Sequence, residues 1–269
     1  MKNWTIELAA ARDAARRAGA MLRDQMKESF RVDYKGEVDL VTDCDLRAQK
    51  LVFDHLSGLF PEYSFLAEEG LDRVTGSDSQ WIVDPLDGTT NFAHRFPVFC
   101  VSIGLKHRDD VVVAVVYDPT RDEEYSAVRG EGAFLNGLRL SVSSVGELDR
   151  SLLATGFPYD IRRTRSNIGN FQAFLTRAQA VRRCGSAALD LCYVAAGRFD
   201  GFWELKLNPW DVAAGGLMIR EAGGRTTDFA GNPMRTTFSE VVASNGLIHD
   251  SMLATLKLGL GGDGNHDRT

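Results

Sequence analysis

The sequence offers little for a covalent framework. Its 269 residues include four cysteines, Cys44, Cys100, Cys184 and Cys192. None is in C-x-x-C spacing, so no disulfide scaffold is expected and the thiols read as free, buried groups of a reducing compartment. No apolar run approaches the ~18 residues needed to span a bilayer. The opening Met1-Lys2-Asn3-Trp4 leads straight into an alanine-rich, charged helical pattern, unlike a secretion signal. These features predict a cytoplasmic protein with no membrane contact. Positive charge is in the minority, with 31 Lys and Arg against 37 Asp and Glu and a formal net charge of −6. No broad basic face is implied, and no direct nucleic-acid binding is expected. The five histidines, His55, His94, His107, His249 and His266, show no metal-ligand spacing. Also missing are a G-x-x-x-x-G-K-[ST] phosphate loop, a G-x-S-x-G nucleophile turn and the D-x-D-x-D-G spacing of a calcium loop. Neither an internal repeat nor a low-complexity block is present.

What is present is ordinary in bulk, 44% hydrophobic and 25% charged, as in a soluble globular enzyme. Trp4, Leu8, Ala11, Ala15, Ala18, Leu22 and Met26 recur at spacings of three and four, which predicts a long first helix with one small-sided apolar stripe. A second helix is expected over 46–60, stopped by Pro61. β-formers then dominate, with strands over 98–106 and 111–117 joined by His107-Arg108-Asp109-Asp110 as a hairpin. The meander continues over 124–128 and 133–135. Strand follows strand without helices, so this half reads as α+β. The second half alternates, with strands over 152–155, 180–183, 199–205 and 240–244. Helices are expected over 166–179, 186–196, 211–222 and 249–256, an α/β rhythm. Residues 141–150 form the best boundary, giving a domain over 1–148 and another over 149–269 that act as one catalytic unit. Residues 259–269 read as a loose tail.

The densest chemistry lies in Asp84-Pro85-Leu86-Asp87-Gly88-Thr89-Thr90-Asn91-Phe92. Trp81-Ile82-Val83 reads as a strand ending at Asp84, where Pro85 interrupts the ladder. Two carboxylates then stand at a strand exit, followed by small polar residues suited to a helix's first turn. Acids beside free backbone N–H groups can hold hard cations and a phosphate together. Three other segments carry acids next to turn or cap signals: Asp39 to Asp45, Ala67-Glu68-Glu69-Gly70 and Pro209-Trp210-Asp211. Singly, each has a local explanation, with Asp45 and Asp211 as helix N-caps and Glu68-Glu69 as a solvated pair. Jointly, they would repel unless cations neutralised them. Oxygen donors alone favour Mg²⁺ or Mn²⁺ over Zn²⁺.

Several blocks together resemble the signatures of the inositol monophosphatases. They are Glu68-Glu69, the Asp84 to Phe92 run, Arg183 to Asp190, Gly201 to Pro209, and Trp210-Asp211-Val212-Ala213-Ala214-Gly215. The likeness runs from the first helix to about Asn245. It implies an αβαβα layered sandwich, a homodimer, two to three Mg²⁺ ions per site, and inhibition by Li⁺. By position it implies that Glu68, Asp84 and the Leu86 carbonyl hold a first metal, and Asp84, Asp87 and Asp211 a second. Glu68 would also contribute to a third. Asp45 and Thr89 would orient the attacking water, making Asp45, Glu68 and Thr89 the catalytic group. Gly88 and Thr89 would face the phosphate, while Asp87, Gly185, Ala187, Glu204 and Asp211 would contact the substrate. Lys35 falls near a metal-proximal loop. The implied activity is hydrolysis of inositol 1-phosphate or a related polyol or sugar phosphate. Fructose-1,6-bisphosphate, histidinol-phosphate and 3′-phosphoadenosine 5′-phosphate phosphatases remain as alternatives, with Arg162, Arg163 and Arg165 available for a second phosphate. A regulatory role with a protein partner also stays open.

Overall fold

Alternation along the strands sorts side chains onto two faces, and that sorting builds the layers. The computed structural model describes residues 3–28, 32–34, 40–234 and 239–260; Lys35 and residues 261–269 of the expected tail lie outside them. Helix α1 (Thr5–Gln25) is followed by β1 (Val32–Tyr34), β2 (Leu40–Thr42) and α2 (Asp43–Leu59). Next come β3 (Ser64–Ala67), β4 (Ser79–Asp87), the short α3 (Thr89–Ala93), β5 (Cys100–His107) and β6 (Asp110–Asp118). Strands β7 (Glu123–Val128), β8 (Gly132–Leu135) and β9 (Leu138–Arg139) complete a seven-stranded sheet in the order β3-β4-β5-β6-β7-β8-β9. His107 pairs with Asp110 across the predicted hairpin.

On one face of this sheet, Val101, Ile103, Leu105, Val113, Val115 and Tyr117 pack with the alanine stripe of α1 and with α2. Small residues let α1 lie close: a Cβ on Gly19 would fall 2.6 Å from the Tyr117 ring. The other face, carrying Cys100, Ala114, Val116, Tyr125 and Ala127, joins a second core built with residues of the second half.

That half begins after a 3₁₀ turn at Leu148–Arg150. It contains β10 (Leu152–Thr155), α4 (Ile161–Thr164), α5 (Ile168–Leu175), β11 (Ala180–Arg182), α6 (Ala187–Ala195), β12 (Gly201–Leu205) and α7 (Pro209–Glu221). Strands β13 (Arg225–Thr227) and β14 (Glu240–Ser244) and helix α8 (His249–Leu260) close it. The sheet order is β11-β10-β12-β14-β13, parallel around β10 and antiparallel at β14. Phe202, Val241 and Ala243 face the middle core, with α6 and α7 sandwiched between the sheets. Trp203 and Val242 face outward, against Phe174 of α5 and Met252 and Leu256 of α8. The result is an α+β layered sandwich in the order helix, sheet, helix, sheet, helix.

Three details depart from the sequence-based expectation. The strand expected to end at Asp84 runs on to Asp87. The helix expected over 166–179 is shortened to α5 (Ile168–Leu175), which starts after Arg165 and Asn167, whose left-handed φ values of 55° and 70° separate it from α4. Strand β13 was not anticipated, and its three residues are too few to show an alternation.

Candidate active site

The strand extension is what creates the acidic pair. Asp84 pairs with Ser102 and Asp87 with Cys100 on β5, so β4 spends one extra residue where β5 spends none. This is a β-bulge, and Pro85 lies inside it, where a missing N–H breaks no ladder bond. Cys100 and Ser102 are two apart and so point to one face. Their partners therefore do too, and two carboxylates three positions apart face the α6–α7 layer together. In a regular strand they would face opposite ways. Gly88 follows with φ 100° and caps α3. A Cβ there would fall 2.9 Å from the Val98 carbonyl oxygen, so both conformation and space require glycine.

Asp45 enters from α2. It is not the N-cap expected from sequence; Thr42 is, and Asp45 occupies the third helical position of a capping box. Its Oδ2 accepts from the Thr42 N–H at 2.8 Å. Its Oδ1 accepts from the Thr89 hydroxyl at 3.1 Å, and the same hydroxyl is 3.0 Å from the Leu86 carbonyl. Burial pushes the Asp45 carboxyl up to about 6, against the lowering effect of the Thr42 hydrogen bonds. Asp211 follows the same rule. Asn208 precedes α7, and its N–H donates to Asp211 Oδ2 at 2.6 Å. Gln49 of α2 fixes the Glu68-Glu69-Gly70 turn at both ends: its Nε2 donates to the Gly70 carbonyl at 2.7 Å and its Oε1 accepts from the Glu69 N–H at 2.8 Å.

The second half grips Asp87 directly. The Ser186 hydroxyl and the Ala188 N–H both donate to Asp87 Oδ2 at 2.7 Å. Asn91 ties α3 to the same segment through the Cys184 carbonyl at 2.9 Å. Glu204, at the end of β12, packs its carboxylate against Gly156, where a side chain would collide with it.

These residues surround one cleft of about 320 Å³. Every predicted site residue lines it (Glu68, Asp84, Leu86, Asp87, Gly88, Thr89, Gly185, Ala187, Glu204 and Asp211) except Asp45, which stands behind Thr89. Arg162, Arg163 and Arg165 do not line it; the cations on its walls are Arg183 and Lys206. Ser186, Asp190, Asp160 and Asn208 also line it and were not singled out as site residues from sequence. Ser186 was legible only as a helix start, and Asp190 only as the end of a family block. Cys184 is not a lining residue, and burial pushes its thiol up to about 12.

The electrostatics follow from crowding. Burial, then the charges of Glu68, Asp87 and Asp211, raise Asp84 well above the usual carboxylate range. Burial and Asp87 do the same to Asp211. Asp87 is raised by burial and partly restrained by Ser186 and the α6 amides. Glu204 is pushed up to about 8 by burial and by Asp190 and Asp87. Among the described residues, no three His, Cys, Asp or Glu side chains already stand in metal-holding geometry. One oxygen each of Asp84, Asp87 and Asp211 instead accepts a hydrogen bond from a backbone N–H. The donor set is nevertheless all oxygen, acidic and buried, which suits a hard divalent cation and no soft one.

Fold and cleft together define a layered sandwich of the sugar-phosphatase type. The chain belongs to the inositol monophosphatase family, whose model matches residues 5–258. It is 44% identical to the protein named Nus factor SuhB of Escherichia coli (strain K12), over 248 residues that cover 91% of this chain and 93% of that one. With inositol monophosphatase 3 of Solanum lycopersicum it shares 42% identity over 265 residues, 95% of this chain and 98% of the relative. Among solved structures, the extragenic suppressor protein suhB of Bartonella henselae matches with a TM-score of 0.91 at 39% identity, covering 94% of this chain and 99% of that one. No helix among the described residues is long and apolar enough to cross a membrane.

Proposed function

We propose that the protein is a Mg²⁺-dependent phosphomonoesterase acting on inositol 1-phosphate or a related small polyol or sugar phosphate. The observation that carries this reading is the meeting of Asp84 and Asp87 from one sheet with Asp211 from the helix beneath the other, in a cleft where Asp87 and Asp211 raise the pKa of Asp84 and Asp87 raises that of Asp211. A divalent cation relieves that repulsion. Glu68, Asp84 and the Leu86 carbonyl would hold one ion, and Asp84, Asp87 and Asp211 another, with Glu68 contributing to a third; Mn²⁺ fits the same donors. Bound there, the metal supplies Lewis acidity and a water of lowered pKa for direct attack at phosphorus.

The chain's own residues do the rest. Asp45 Oδ1 accepts the Thr89 hydroxyl hydrogen, which directs the lone pairs of Thr89 Oγ1 toward the attacking water's proton. Gly88 and Thr89 present backbone N–H groups to the phosphate. Glu204 and the Gly185-to-Ala187 segment receive the alcohol's hydroxyls. The test is phosphate release from a panel of esters with Mg²⁺, with Mn²⁺ and with chelator. Inositol 1-phosphate is expected among the best substrates, with turnover lost in chelator and in Asp84→Asn and Asp87→Asn. Near-normal kcat in both variants at saturating Mg²⁺ would sink the mechanism.

A second reading is a regulatory one, favoured by the 44% identity to a protein named as a Nus factor. The acids are dispensable for such a role and necessary for hydrolysis. Capture of the same protein partners by wild type and by Asp84→Asn would support it; a chain that captures none would not.

A further inference from the structure

Among the described residues, Lys206 is the one non-glycine residue lining the cleft with a left-handed backbone. It follows Glu204 by two positions and adopts φ 62°, in the left-handed region that side chains rarely enter without a compensating contact. Its side chain reaches Asp160, 46 residues earlier in the chain: Lys206 Nζ donates to both carboxylate oxygens, at 2.9 and 2.6 Å. Both residues line the cleft. Asp160 also lies on the turn before α4, where the Thr164 hydroxyl reaches Oδ1 at 3.3 Å and Arg163 stands 3.6 Å from Oδ2. The other cation on the walls, Arg183, favours the charged forms of Asp190 and Glu204. Of these two cations, Lys206 is the one held in an ion pair by a carboxylate of this chain.

A phosphate ester with a second phosphate needs a cation on the alcohol side of the cleft, because a dianion there faces Glu204 and Asp190. Lys206 is placed to supply one, and Asp160 already occupies it. We propose that Asp160 sets substrate class by neutralising Lys206, so that the cleft favours esters bearing one phosphate and a neutral polyol over those bearing a second anionic group. The inference rests on the phosphatase reading above. It makes Asp160 and Lys206 specificity-determining residues and leaves the hydrolytic machinery unchanged.

The experiment compares inositol 1-phosphate with fructose 1,6-bisphosphate for wild type, Asp160→Asn, Lys206→Gln and the double variant. The quantity read is the ratio of kcat/KM, bisphosphate over monophosphate, together with the ratio of dissociation constants from calorimetry. Asp160→Asn keeps the shape and removes the charge, so the ratio should move toward the bisphosphate by about tenfold, the worth of one charge-assisted hydrogen bond discounted for partial exposure. The double variant should return it to the wild-type value. An unmoved ratio in Asp160→Asn overturns the proposal. So does a rise that persists in the double variant, which would assign the effect to Arg163 or to simple loss of repulsion. A protein that binds both esters but hydrolyses neither defeats the phosphatase reading, while its binding ratio still decides the role of Asp160. Binding of neither ester overturns both.

Discussion

Thr89 Oγ1 donates to Asp45 Oδ1 at 3.1 Å, joining the first turn of α3 to the first turn of α2 across 44 residues of sequence. Neither residue is exposed, and the pair lies at the inner wall of the cleft. A buried carboxyl lifted to about 6 and paired to a hydroxyl is suited to exchanging a proton near neutral pH.

That relationship predicts a chemical rather than a structural defect on mutation. Thr89→Val keeps the shape and removes the hydroxyl; kcat should fall by about two to four orders of magnitude, the usual range for loss of acid–base assistance. Thr89→Ser should retain most activity. Steady-state kinetics checks both, and near-wild-type kcat in Thr89→Val removes Thr89 from the mechanism.

Asp211 should trade stability for function. Asp211→Asn preserves an acceptor for the Asn208 N–H and removes one charge from a cluster that raises its members' pKa values. In chelator the variant is expected to melt a few degrees higher than wild type, since a repulsive term of about 1 kcal/mol moves a domain of this size by roughly 2–4 °C. Added Mg²⁺ should reverse the order. Thermal melts with and without Mg²⁺ decide it, and an equal or lower melting point in chelator counts against the cluster being destabilising.

Helix packing should reach the site through α7. A Cβ on Gly215 would fall 2.5 Å from Leu191 Cβ, so α6 and α7 must separate to admit Gly215→Ala. Overpacking of this kind costs about 1–3 kcal/mol. Since α7 carries Asp211, the Mg²⁺ concentration for half-maximal activity should rise as well. Denaturant titration and Mg²⁺ titration read the two effects separately.

The acid limb of stability should belong partly to His249. Its ring is buried, with Nε2 2.9 Å from the Thr227 hydroxyl and Nδ1 2.9 Å from the Ser244 hydroxyl. Burial, helped by Arg225, lowers its pKa from 6.5 to about 4. The unfolded chain takes the proton below 6.5 and the fold resists it until about 4. The contribution is therefore complete above 6.5 and lost as pH falls toward 4, by roughly 3 kcal/mol at full extent. Urea midpoints at pH 7 and pH 4.5 should converge in His249→Gln relative to wild type; equal pH slopes in the two proteins would refute the assignment.

The long elements were legible because each carries its own period. The alanine stripe of α1 and the runs of β-formers in β5 and β6 are local signals that burial selects. The acidic residues were legible as residue types, and the family resemblance assigned them roles. Their supports were not. Gln49 braces the Glu68 turn from α2, and Ser186 restrains Asp87 from the other half of the chain, neither at a spacing that signals a partner. The late start of α5 also escaped the pattern, because Asn167, left-handed at φ 70°, bonds Thr155, Gly156 and Trp203, which are distant in sequence.

By itself the sequence determined that two carboxylates would stand at a strand exit beside a helix start, and that hard-cation oxygen chemistry was the use such a corner could have. Tertiary structure decided that both point the same way, because a β-bulge at Pro85 resets the alternation that would have parted them. It also decided that Asp211 and Glu204 from a second sheet and helix complete the cleft, and that Lys206 is matched by Asp160 rather than by solvent. Those outcomes depend on contacts between distant segments, whose Coulomb and packing energies are set by distance in space and leave no period in the chain.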